Sequence, residues 1–78
     1  LSLHDALPIY FDLLDYRTII SGIEKVSADK VLSYEVVTSI VKNKPVNISE
    51  LLKIKGFSSI KNIKYGEDII EIVKKHIN

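Results

Sequence analysis

The 78-residue sequence contains no Cys, no Met and no Trp, and only three Gly and two Pro. Without Cys there are no disulfides and no thiolate metal ligands, and such a composition fits a reducing compartment. No apolar run approaches the roughly 20 residues that a membrane-spanning helix requires. The first residues also lack a basic stretch followed by an apolar one, the pattern of a secretory signal. No G-x-x-x-x-G-K sequence occurs, which excludes a phosphate cradle of the P-loop type.

What remains is a single small domain. A chain of this length buries only about 60% of its unfolded surface, so its stability is marginal, and scaffolds of this size usually need a staple or a partner. The net charge of +1 conceals an asymmetry. Residues 1–41 carry three basic and six acidic side chains, residues 42–64 carry six Lys against Glu50, and residues 65–78 carry two Lys against three acids. A basic middle segment is the usual electrostatic footprint of a polyanion partner. The bland alternative is compositional: ten of the eleven basic residues are Lys, as in proteins from AT-rich genomes.

The opening LSLHDALPI back-translates as CTT TCC CTA CAC GAC GCT CTT CCG ATC, a string that resembles the 3′ end of a short-read sequencing adapter. The expectation is that residues 1–9 are a library scar outside the fold and that the domain occupies residues 10–78. The coding sequence is then expected to continue upstream of Tyr10, making the chain a C-terminal fragment. On this view His4 and Asp5 have no metal or acid–base role. The alternative is a genuine segment with Pro8 entering a helix.

Helical periodicity dominates the rest. Tyr10, Leu13, Tyr16, Ile20 and Ile23 recur at spacings of three and four, and Phe11, Leu14 and Ile19 widen the stripe. A short turn of helix follows from Ser27 to Leu32. Ser33 can cap the next helix, with Val37, Ile40 and Val41 inward, and Pro45 stops it. Asn47 with Glu50 reads as a capping-box variant opening a short helix with Leu51, Leu52 and Ile54. Gly56 supplies a left-handed turn, and Phe57 packs back. Ser58 or Ser59 then caps a last helix with Ile60, Ile63, Ile69, Ile70, Val73 and Ile77 inward, and with Glu71 and Lys75 paired outside. The pattern predicts an all-α compact bundle.

Catalytic constellations are lacking. His76 reads as a solvated last-turn residue favoured by the helix dipole, and Glu67, Asp68 and Glu71 as solvated charge. The serines have no accompanying base and orienting group. Asn47-Ile48-Ser49 matches a glycosylation sequon, but the N-cap explains Asn47 better. The remaining candidate is the cationic surface formed by Lys53, Lys55, Lys61 and Lys64 around Gly56, beside the N-terminus of the last helix, whose free N–H groups suit phosphate. Four such lysines on a single strand imply a log–log salt slope of about −3, with weak and sequence-tolerant binding. Tyr65 reads either as a base-stacking ring or as a core-edge ring.

Leu52-Lys53-Ile54-Lys55-Gly56-Phe57-Ser58-Ser59-Ile60-Lys61-Asn62-Ile63-Lys64-Tyr65-Gly66 resembles the HRDC (helicase and RNase D C-terminal) pattern L-x-I-x-G-h-G-x-x-K-x-x-x-Y-G. Val31-Leu32-Ser33 resembles that family's V-h-s turn, and Lys44-Pro45 its helix stop. Leu13, Tyr16, Arg17 and Ile20 fall on its L-x-x-L-R-x-x-I first helix. The resemblance implies a five-helix bundle appended to a RecQ-type DNA helicase, less often to a UvrD-type helicase or ribonuclease D. It also implies an accessory role, binding single-stranded or branched DNA or contacting protein, with upstream helicase domains in cis. No cofactor is expected in this chain; ATP and Mg²⁺ belong to the implied 3′–5′ helicase, which acts in repair and recombination. A cytoplasmic, nucleoid-associated setting follows from the same resemblance, with no membrane partner. Departures are Asp29 where many members carry an aromatic, Tyr34 at the usual Asp cap, and Ser58 at the second turn glycine. Asp29 cannot stack a base and repels phosphate, which favours the alternative of a protein-docking or structural module.

Overall fold

The computed structural model describes residues 3–77. Five helices follow in order: α1 (Leu3–Glu24), α2 (Ala28–Val31), α3 (Tyr34–Asn43), α4 (Ile48–Leu51) and α5 (Ser59–His76). No strand occurs among the described residues. The single-turn α2, together with α3 and α5, packs on α1, and the single-turn α4 packs on α5. Leu13, Leu32, Ile40, Leu51, Ile69 and Val73 are fully enclosed between them. Burying each such side chain contributes about 1.5–3 kcal/mol, so these few residues dominate the stability of so small a domain.

Local chemistry sets the joints. Ser33 Oγ accepts from Val36 N (3.2 Å), Asn47 Oδ1 from Glu50 N (2.8 Å) and Ser58 Oγ from Lys61 N (3.2 Å). Each satisfies one of the donors a helix start leaves open. Glu50 completes the box one residue early, because its Oε1 accepts from Val46 N. α3 ends with Lys44 in the left-handed region, φ 45°, directly before the buried Pro45. Gly56 has φ 91°, and Phe57 turns back into the core.

Helix phase differs from the sequence reading in two places. In α1 the buried line is Ala6, Ile9, Leu13 and Arg17, with Tyr10, Leu14, Tyr16 and Ile20 as half-buried flanks. Phe11, Ile19 and Ile23 are exposed. α1 is continuous across residue 9, and Pro8 lies inside it without an N–H for the carbonyl four residues back. The fold therefore makes no break at Tyr10: residues 6 and 9 extend the spacing of 13 and 17 and join the core, whatever DNA encoded them. The side chains of His4 and Asp5 lie outside the described residues.

In α5 the inward face is Tyr65, Gly66, Ile69 and Val73. Ile60 and Ile63, expected inside, are 70% and 83% exposed. At 100° per residue Ile63 lies about 160° from Tyr65, so a helix packed on the Tyr65 side leaves Ile63 outside. Leu52, placed on the short helix with Leu51 and Ile54, is the C-cap of α4 and is exposed.

Candidate nucleic-acid interface

The five residues singled out around Gly56 separate into two groups. Lys53 and Lys55 lie in the loop between α4 and α5, where the main chain is tied by Lys53 N to Glu50 O (3.2 Å) and Phe57 N to Ile54 O (3.1 Å). Both are exposed. With Ser39 and Asn43 of α3, and with Glu50, they line a groove of about 410 Å³ floored by Pro45 and Ile54. The two ammonium groups and the Ser39 hydroxyl give this groove donors for an anionic chain, and Glu50 is turned to the Val46 amide (2.9 Å).

Lys61, Lys64 and Tyr65 have internal partners. Lys61 Nζ donates to the carbonyls of Lys30 (2.9 Å) and Val31 (3.0 Å), so its cation closes the C-terminal end of α2, where carbonyls lack intrahelical donors. Lys64 Nζ sits 3.8 Å from Glu24 Oε1 and 5.8 Å from the Tyr65 ring centroid. Tyr65 is only 4% exposed, and its hydroxyl donates to Glu24 Oε1 (2.7 Å). Burial, followed by that bond to Glu24, pushes the phenol up to about 12. Tyr65 is therefore a core-edge ring with an edge-on contact to Tyr16, and no face of it is presented for a base. Glu24 holds both Lys64 and Tyr65 at the end of α1.

Arg17 escaped the sequence reading as a structural centre. It is 8% exposed, and Nη1 donates to the Leu32 carbonyl (2.9 Å). The guanidinium lies 4.1 Å from the Tyr34 ring centroid and 3.9 Å from Asp29 Oδ1. The two departures at 29 and 34 thus converge on one arginine. Its i+4 spacing from Leu13 was the signal in the sequence; a charge in that phase is buried only with partners. Ser39 and Asn43, also four apart, were not singled out either.

The other chemical candidates resolve into contacts between α5 and α1, so His76 and Asp68, read as solvated, are both engaged. The His76 ring N–H donates to Asp12 Oδ2, and Lys75 pairs with the same oxygen at 3.3 Å, so Lys75 reaches across to α1 and the pair expected with Glu71 is not formed. The bond from His76 leads the causes that hold the Asp12 carboxyl below its usual value. Asp68 accepts from the Tyr16 hydroxyl (2.8 Å), and Glu67 and Glu71 are exposed. Among the described residues no three His, Cys, Asp or Glu side chains converge as metal ligands, and no helix is long and apolar enough to cross a membrane.

Comparison with known proteins gives one match. The family model described as the HRDC domain covers residues 7–73. Neither the search of curated proteins nor that of solved structures found a match. With 67 of 78 residues matched, the five-helix architecture, and Lys61, Tyr65 and Gly66 all engaged at the joints of the bundle, the chain belongs to the HRDC domain family, whose members are accessory rather than catalytic units.

Proposed function

We propose that this domain binds nucleic acid as an accessory module of a RecQ-like DNA helicase, holding single-stranded or branched DNA while upstream domains unwind it with ATP and Mg²⁺. Family membership supports the accessory role; fold alone does not fix the ligand. The observation that carries the reading is the groove that Lys53 and Lys55 line together with Ser39, Asn43 and Glu50, whose carboxylate is turned to the Val46 amide. Lys42 extends that cationic edge from the last turn of α3. Lys61 is left out of the proposed contact set because its ammonium already donates to two carbonyls.

Lysine supplies point charge without a base-reading fork, so binding through this groove is weak and tolerant of sequence. Three lysines on a single strand give a log–log salt slope of about −2, shallower than four would. Fluorescence anisotropy with a labelled single strand over a salt series measures this directly. Replacing Lys53 and Lys55 together with Glu is expected to abolish binding while leaving the helical signal intact. Absence of binding by the parent chain at low salt would sink the reading.

A second reading has its own observation. Ile60 and Ile63 stand exposed on α5, which suits a docking or structural module without DNA contact, attached to a RecQ-type or UvrD-type helicase or to ribonuclease D. A null anisotropy titration favours this alternative.

A further inference from the structure

The exposed side of α3 carries a feature that the lysine groove does not explain. Tyr34, the first residue of α3, is 56% exposed, although a Tyr ring has much apolar surface to hide. One face of the ring lies over the Arg17 guanidinium, 4.1 Å away. Arg17 is itself fixed by the Leu32 carbonyl, so the ring is held from below by a buried group. A side chain held in this way keeps its place at small entropic cost when something covers its outer side.

Thr38 and Lys42 follow Tyr34 at i+4 and i+8, forming one row along the helix, and both are exposed. The row rises about 12 Å toward the end of α3, where Ser39 and Asn43 wall the groove of Lys53 and Lys55. Charge changes sign along this path. Asp29 and Glu35 flank the Tyr34 end, whereas Lys42, Lys53 and Lys55 stand at the far end. Phosphate is disfavoured beside Tyr34 and favoured beyond Thr38. An uncharged aromatic base has no such penalty at the ring.

We propose that Tyr34 is a stacking platform for one unpaired base of a single strand whose backbone runs along α3 toward Lys42, Lys53 and Lys55. The assignment rests on the nucleic-acid reading above and adds a residue and a preference to it: single strands over duplex, because only an unpaired base can lie on the ring. Tyr34 supplies stacking and the lysines supply the salt dependence, so the two contributions separate experimentally.

The test uses the whole chain, a labelled single-stranded oligonucleotide carrying 2-aminopurine at successive positions, and a duplex of the same sequence. In the parent chain, one 2-aminopurine position is expected to change its emission on binding. Tyr34→Leu is expected to weaken single-strand affinity by about tenfold, within the range a lost base–aromatic stack gives. Its salt slope and duplex affinity stay unchanged, and Tyr34→Phe, which keeps the ring, binds within about twofold of the parent. A Tyr34→Leu chain that binds single strands as the parent does overturns the platform. Equal losses on single strand and duplex overturn it too, as does unaltered 2-aminopurine emission at every position. If Lys53→Glu with Lys55→Glu abolishes binding while Tyr34→Leu does not, the groove stands and only the platform falls; if the parent binds nothing at low salt, both fall.

Discussion

Removing the guanidinium of Arg17 while keeping its stem, as in Arg17→Met, tests the packing argument at its centre. Three interactions end together: the bond to the Leu32 carbonyl, the stack on Tyr34 and the 3.9 Å approach to Asp29. A hydrogen bond from a charged donor contributes about 1.5–3 kcal/mol, and a partly exposed cation–π pair about 0.5–1 kcal/mol. The Asp29 carboxylate is largely exposed and adds little. Against these losses stands the release of a buried charge, which can make an apolar replacement neutral. That compensation requires both partners to go, and here the Leu32 carbonyl stays behind without its donor. The net expectation is a loss of about 2–3 kcal/mol, a large share of the roughly 4–12 kcal/mol that a domain of this length has. Thermal unfolding followed by circular dichroism should show Tm lower by about 10–20 °C. A shift under about 3 °C would refute the reasoning and make Arg17 a bystander, whereas Asp29→Asn should change Tm little.

The other expectations concern the turn, the phenols, the acid limb and the exposed isoleucines. Gly56→Ala should destabilise by about 2 kcal/mol in urea unfolding, because a side chain at φ 91° is strained and its Cβ would meet Val36 Cγ2 at 3.0 Å; an unchanged midpoint would contradict the turn. Burial and the bonds to Asp68 and Glu24 raise the Tyr16 and Tyr65 hydroxyls, Tyr65 to about 12. The stabilising protonated phenols are complete below the unfolded value of 10.0, and their contribution falls as pH rises from there through about 12; Tyr65→Phe should flatten that decline in stability–pH curves. Asp12 is lowered from 3.8 by His76 first, so its contribution is present above that value and disappears as pH falls through the folded one; acid titration of Asp12→Asn should lack that share. Ile63→Glu should leave Tm almost unmoved, whereas Ile69→Glu, at a fully buried site, should prevent folding.

The joints of this fold were legible because they are local chemistry. Ser33, Asn47 and Ser58 cap helices through an oxygen and an amide three residues away, and Gly56 and Pro45 act on their own backbone. The faces of α1 and α5 were not. Ile occurs at 60, 63, 69, 70, 72 and 77, so apolar spacing around α5 permits more than one stripe, and only packing against α1 and α4 selects 65, 66, 69 and 73. Arg17 broke the apolar line of α1 in the sequence, yet it sits in that line because its partners lie 12 to 17 residues onward, at Asp29, Leu32 and Tyr34. The candidate site was half legible for the same reason. Lys53 and Lys55 read correctly as exposed, but the partners of Lys61 and Tyr65 are 30 to 41 residues away, beyond any local pattern.

Lys61 has a consequence for chemical labelling. The residue is half-buried and its ammonium holds two successive carbonyls of α2, whereas Lys53 and Lys55 stand in the open groove. An acylating reagent should therefore modify Lys53 and Lys55 readily and Lys61 more slowly, after its ammonium has swung off the two carbonyls. Once acylated, Lys61 has lost its charge and can no longer hold both oxygens, so the contact with α2 does not re-form. The ratio of Lys61 to Lys53 labelling then reports the fraction of time the Lys61 ammonium is away from the end of α2, read from a single peptide map.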